Sequence, residues 1–144
     1  QIYETFDENE EIILAGIHSN GFTLAKMLSA SLSDIMNCKI TLCEVFVDKK
    51  NPLNTVTTSI TEEDYTNKNI VLIDDVLNSG STLIYGVKHF LEVPLKKFKT
   101  AVLVDRNHKK YPVKVDFKGI SLSTSSKEHV KVVFEDANCY AYLE

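Results

Sequence analysis

Apolar residues along the chain follow two rhythms, and the rhythm sorts the elements. Glu11–Ile17 carries Ile12, Ile13, Leu14, Ala15 and Ile17 in a nearly unbroken run. A run that short and that apolar predicts a strand buried on both faces, as inside a parallel sheet. His18-Ser19-Asn20-Gly21 is a polar turn, after which Ala25, Leu28, Leu32 and Ile35 recur at helical spacing. Lys39–Val47 predicts a second strand, and Asp48–Asn54, with Pro52 and two lysines, an exposed loop. Asn69–Val76 predicts a third strand, apolar until Asp74. Asn78–Ser81 reads as a loop and Thr82–Leu91 as a helix with Leu83, Val87, Phe90 and Leu91 inward, which Pro94 helps to end. Thr100–Val104, Val113–Phe117 and Val130–Phe134 predict further strands, and Tyr140–Leu143 closes the chain.

Strands alternating with helices predict an α/β fold, a doubly wound and mainly parallel sheet flanked by helices. A single domain over residues 1–144 accommodates the length. In such folds ligands sit beyond the carboxyl ends of strands, which points to the residues after Ile17, Ile73 and Val104. No apolar run approaches the roughly 20 residues of a membrane span, so no membrane partner is expected. The net charge of −4 argues against a general nucleic-acid binder. Cys38, Cys43 and Cys139 are few, odd in number and flanked by aliphatics, which predicts buried free thiols in a reducing cytoplasm. Ile2, Tyr3 and Phe6 read as the end of an amphipathic segment that begins upstream of Gln1. His89 and His129 are expected to be structural and His108 to sit on a surface loop.

The chemistry concentrates in Val71-Leu72-Ile73-Asp74-Asp75-Val76-Leu77-Asn78-Ser79-Gly80-Ser81-Thr82. A hydrophobic strand delivers two carboxylates to its end, a small polar loop follows, and a helix starts at once. Free loop amides and a helix N-terminus attract a phosphate. Gly80 lets the backbone come close and tolerates a positive φ, and Ser79, Ser81 and Thr82 add hydroxyl donors. Carboxylates repel a phosphate but suit neutral hydroxyls or a divalent cation. A phosphate beside a diol, with a metal nearby, describes a ribose 5-phosphate. Gly16–Thr23 misses the nucleoside-triphosphatase loop because Phe22 stands where that loop needs Lys.

Segment 71–82 resembles the phosphoribosyl pyrophosphate signature of the type I phosphoribosyltransferases. Ala101–His108, Tyr111-Pro112-Val113, Val115-Asp116-Phe117, Gly119–Glu128 and Tyr140-Ala141-Tyr142 are similar to the pyrimidine operon attenuator/uracil phosphoribosyltransferase group of that family. Ile13–Ile17, with Gly21 and Leu24-Ala25-Lys26, is similar to that group's first strand and helix. The resemblance implies that Asp74 and Asp75 contact ribose hydroxyls as the catalytic acids. It places the 5-phosphate on Asn78, Ser79, Gly80, Ser81 and Thr82, and the pyrophosphate on His18, Ser19, Asn20 and Gly21. It puts the base near Val104, Asp105 and Arg106. Magnesium would arrive with the pyrophosphate rather than in a protein cage, with at most a water-mediated link to Asp74 or Asp75. A cytoplasmic homodimer is implied.

Two arginines of that group are absent. Its first turn reads Lys-Thr-Arg-Gly where this chain has His18-Ser19-Asn20-Gly21, and Ser81 stands where its phosphate loop has Arg. Each lost charged hydrogen bond costs about 1.5–3 kcal/mol. The backbone cradle survives both changes, so turnover suffers more than binding. Three readings therefore stay open: a salvage transferase acting on a nucleobase, a regulator that senses phosphoribosyl pyrophosphate, and an attenuator that binds RNA. The loop Asp48–Asn54 is shorter than the family's, and Lys49 and Lys50 stand either in place of that loop's cations or, the reading favoured by their pattern, as mobile surface lysines. The missing charge makes one prediction: Ser81→Arg raises phosphoribosyl transfer, measured as pyrophosphate release. Lower activity in a correctly folded variant would count against this account of the absent cation.

Overall fold

The structure, a computed structural model, describes residues 1–125, 127–135 and 138–144. Ser126, inside the Gly119–Glu128 stretch, lies outside the described residues. In chain order the elements are α1 (Ile2–Thr5), β1 (Ile12–Ile17), α2 (Asn20–Ser33), β2 (Ile40–Phe46), β3 (Thr57–Thr58), α3 (Glu62–Tyr65), β4 (Asn69–Leu77), α4 (Ser81–Phe90), β5 (Lys97–Asp105), β6 (Phe117–Ser121), β7 (Val130–Glu135) and β8 (Asn138–Leu143). Among the described residues six strands form one sheet in the order β3-β2-β1-β4-β5-β6. Its pairings are parallel except that of β3. β7 and β8 form a separate antiparallel ribbon. The expected doubly wound, mainly parallel sheet with flanking helices is the architecture observed.

The period-two alternation of a strand sorts its side chains between two cores. Ile13, Ala15 and Ile17 of β1 join Ile70 and Leu72 of β4 and meet Leu83 and Phe90 of α4. Ile12, Leu14, Val71 and Ile73 turn the other way and meet Leu24, Ala25 and Leu32 of α2. Every residue of β1 is buried, which explains why its sequence shows no polar alternation. Each large side chain so buried contributes about 1.5–3 kcal/mol. Tyr65 of α3, 1% exposed, packs edge-on against Phe90 with ring centroids 5.0 Å apart.

The topology locates the site. From β1 the chain moves to β2 on one side and later returns to β4 on the other, so the strand order reverses between β1 and β4. The carboxyl ends of these two strands splay a crevice open at that switch point. Both the polar turn after Ile17 and the acids after Ile73 end there.

Several expectations need correction. Val113–Phe117 is not a strand; β6 begins at Phe117, and Val113 and Val115 instead pack into the α4-side core. Leu91 was expected inward but is 61% exposed, because α4 ends at Phe90 and the helical phase is lost. Ile35 is 58% exposed for the same reason, since α2 stops at Ser33; Met36, 4% exposed, takes the buried seat. Of the thiols expected to be buried, Cys43 is buried, Cys38 intermediate and Cys139 exposed on β8. Among the described residues no helix is long and apolar enough to cross a membrane.

Gly16 shows how closely α2 is seated. A Cβ there would lie 2.4 Å from Phe22 Cα and 2.6 Å from the Gly21 carbonyl oxygen, both backbone atoms that no rotamer change can move. Gly16→Ala is therefore expected to destabilise the protein by about 3 kcal/mol or more. Chemical denaturation would check this, and an unchanged midpoint would show that the turn yields easily.

Candidate functional site

Asp74 and Asp75 lie near the carboxyl end of β4, with Asp74 5% exposed and Asp75 half-buried. Each caps the following amide: Asp75 N donates to Asp74 Oδ1 at 3.0 Å, and Val76 N to Asp75 Oδ1 at 2.9 Å. Burial, helped by the neighbouring Asp75 carboxylate, pushes Asp74 up to about 7, while Lys49 pulls the other way. The second carboxylate is engaged from across the switch point. Asn20 Nδ2, in the first turn of α2, donates to Asp75 Oδ2 at 2.8 Å and to Val132 O at 2.9 Å.

The loop after β4 is built for close approach. Gly80 has φ 83° and caps α4, a left-handed conformation that favours glycine. A Cβ there would also meet Val113 Cγ1 at 2.7 Å. Ser81 N is spent on Ser79 Oγ at 3.2 Å. Among the described residues the amides of Ser79, Gly80, Thr82 and Leu83 donate to nothing in the chain. The Ser79 carbonyl accepts from Lys110 N and Tyr111 N, which ties the loop to the segment after β5.

These elements surround a cleft of about 470 Å³. Asp74, Asp75, Asn78, Ser79 and Thr82 form its floor, with Asn20, Arg106 and Lys49 on its flanks, and His129–Val133 across the top. The residues expected at the site thus divide. Both acids, three of the five loop residues, Asn20 and Arg106 converge on one cleft. Gly80 and Ser81 shape the loop without lining it. His18 points elsewhere: its Nδ1 lies 2.7 Å from Glu44 Oε1, and its ring packs on Phe46 at 4.9 Å. Ser19 holds a φ of 74° at the start of α2, its carbonyl accepting from Thr23 N. Gly21 packs on the backbone of Ile73 and Asp74. Val104 and Asp105, each 1% exposed, do not line the cleft. Asp105 faces Lys118 at 3.4 Å and Lys109 at 3.8 Å instead.

Sequence reasoning missed the roof. His129, expected to be structural, and Val130–Val133 line the cleft, although they lie 47 to 51 residues after Thr82, the end of the signature. Only the fold brings β7 over β4, and no local motif announces it. His108, expected on a surface loop, has its Nε2 against the Thr124 carbonyl and helps hold the segment leading to β7. Lys49 reaches the cleft from a compact loop: Asp48 Oδ1 accepts from Lys50 N at 2.9 Å and Asn51 N at 3.1 Å, and Asp48 Oδ2 from Asn54 Nδ2 at 2.9 Å. These bonds hold the Asp48 carboxyl below its ordinary range.

Known proteins resemble this chain in sequence and in fold. Residues 1–137 match the phosphoribosyl transferase domain family. The chain is 32% identical over 139 residues to the bifunctional protein PyrR of Streptococcus agalactiae, covering 90% of this chain and 79% of the relative. It is 31% identical over 147 residues to that of Limosilactobacillus reuteri, covering 93% and 83%. In fold it is similar to a hypoxanthine-guanine phosphoribosyltransferase from Bacillus anthracis, with a TM-score of 0.69 at 21% identity over 90% of this chain and 73% of the other. It is also similar to a hypoxanthine phosphoribosyltransferase from Trypanosoma cruzi in complex with its product IMP, with a TM-score of 0.66 at 18% identity over 78% and 61%.

The buried acid makes a pH prediction. Asp74 titrates at about 7 in the fold against 3.8 when exposed. The folded state therefore holds a proton that the unfolded state has released, and stability falls as pH rises from about 4 to 7. Above that window the charged form costs the fold about 4 kcal/mol. Asp74→Asn removes the cost, so its stability relative to wild type should improve by about 2–3 kcal/mol between pH 5 and pH 8. Denaturant titrations at both pH values measure this; a difference that does not change with pH would show that Asp74 titrates normally.

Proposed function

The chain belongs to the phosphoribosyl transferase domain family, and from that premise we propose that it binds phosphoribosyl pyrophosphate in the cleft between β1 and β4 and transfers the phosphoribosyl group to a nucleobase, releasing pyrophosphate. One observation carries the reading: unspent amides at Ser79, Gly80 and Thr82 adjoin two carboxylates on the strand end that precedes them. Amides and helix start suit the 5-phosphate. Asp74 and Asp75 suit the ribose hydroxyls. Asn20, the one residue of the turn at 18–21 that lines the cleft, and Lys49 suit the pyrophosphate. The base belongs toward Arg106 and the β7 edge.

In the reaction the bond from the anomeric carbon to the pyrophosphate oxygen breaks, and a base nitrogen forms the new carbon–nitrogen bond and gives up its proton. Positive charge develops on the ribose ring, where the two carboxylates lie. Fixing donor, acceptor and leaving group in one cleft supplies much of the rest. Among the described residues no three acidic, His or Cys side chains gather to hold a metal. Two carboxylates alone fit magnesium only as a shared ion, reached through water and completed by the ligand's oxygens, where it would neutralise the departing pyrophosphate.

The charge in the cleft favours a second reading, a phosphoribosyl pyrophosphate sensor with weak turnover. Of the lysine and arginine side chains lining the cleft, Arg106 is spent on the protein and Lys131 Nζ pairs with Glu144. Lys49 alone has no such partner among the described residues.

Calorimetric titration with phosphoribosyl pyrophosphate and magnesium tests the binding, and pyrophosphate release with each common base tests the turnover. Binding without turnover would select the sensor. Asp75→Asn is expected to weaken binding about tenfold or more, the loss of one charged hydrogen bond, with little change in melting temperature. A large fall in melting temperature with unchanged affinity would assign Asp75 to the core.

A further inference from the structure

Arg106 was expected to meet the base, but its guanidinium is committed elsewhere. The residue is 3% exposed. Nη1 donates to Asn78 Oδ1 at 2.9 Å, Nε to Thr124 Oγ1 at 3.1 Å, and Nη2 to the carbonyls of Ser125, at 3.4 Å, and of Glu128. Ser125 N also donates to Glu128 Oε2 at 2.6 Å. Glu128 and His129 lead directly into β7, which roofs the cleft.

We infer that Arg106 is a positioning residue: it orients the carboxamide of Asn78 as a hydrogen-bond donor for a phosphate oxygen, and it clamps that donor to the turn that launches the roof. The inference rests on the function proposed above. A guanidinium has donors only, so the Asn78 atom facing it must be the oxygen. That leaves both Nδ2 hydrogens to the cleft-lining side of the side chain, and among the described residues they have no partner. An asparagine free to flip offers an anion its oxygen as readily as its amide. One held by a buried cation offers the amide alone. The bond also joins the phosphate loop to the roof, because one planar group binds both.

Three variants test this by calorimetric titration with phosphoribosyl pyrophosphate and magnesium. Asn78→Asp keeps an acceptor for Arg106 but replaces the donor with a negative charge. Affinity should fall at least tenfold while the melting temperature holds or rises. Arg106→Lys offers a point charge that cannot span the same acceptors, so both affinity and melting temperature should fall. Because Arg106 is argued to act through Asn78, the double variant should bind no worse than the weaker single one. Wild-type-like affinity in Asn78→Asp, or affinity losses that add in the double variant, would overturn the inference while leaving the proposed function standing. Absence of binding by the wild-type protein would overturn both.

Discussion

Asp74 must carry its carboxylate where the fold has removed water, and the rest of the cleft is arranged around that constraint. β4 is paired on both sides, with Ile73 opposite Gly16 and Asp74 opposite Val102. The start of α2 lies on the same strand end, with Gly21 against the backbone of Ile73 and Asp74. Burial at this strand end favours the neutral acid and raises its pKa. Asp75, one residue on, is only half-buried and faces Asn20. Two adjacent carboxylates therefore differ in burial and in what they can bind. Lys49 is the charge that opposes the burial of Asp74, and its loop is held in shape by bonds to Asp48.

The roof is held differently from the floor. The floor belongs to strands and helices whose apolar residues fill two cores. The roof ribbon has every residue of β8 exposed, while β7 buries Val132 and packs Phe134 against the α2-side core, and polar bonds at two places add to this. Arg106 and His108 grip the segment before β7, and Asn20 meets the Val132 carbonyl. A neutral bond such as that of Asn20 contributes about 1 kcal/mol, and a charged one such as that of Arg106 about 1.5–3 kcal/mol. The cleft therefore combines an acid-bearing floor set into two cores with a roof whose second strand is exposed throughout.

Where local pattern and burial agree, the sequence could be read directly. β1, β2 and β4 and the helices after the two loops lie where their apolar runs placed them; β1 and most of β4 are buried on both faces of the sheet, while β2 is buried only at Cys43 and Val45. The acids and the loop after them were legible too, since strand, carboxylates, small residues and helix follow one another without a gap. Legibility failed at helix ends and in the last third of the chain. Leu91 and Ile35 continue a helical rhythm that the backbone has already abandoned. Val113 and Val115 look like strand residues, but their burial comes from packing beneath α4 without a ladder partner.

The sequence by itself determined the α/β class, the positions of the main strands along the chain and the acid-then-loop constellation at residues 74–82, because these depend on interactions within about a dozen neighbouring residues. Tertiary structure alone decided which residues close the cleft, what Arg106 binds, and that His18 turns toward Glu44. Those outcomes rest on contacts between segments remote along the chain. A side chain's hydrogen-bond partner is set by what the fold brings beside it, and local sequence carries no record of that.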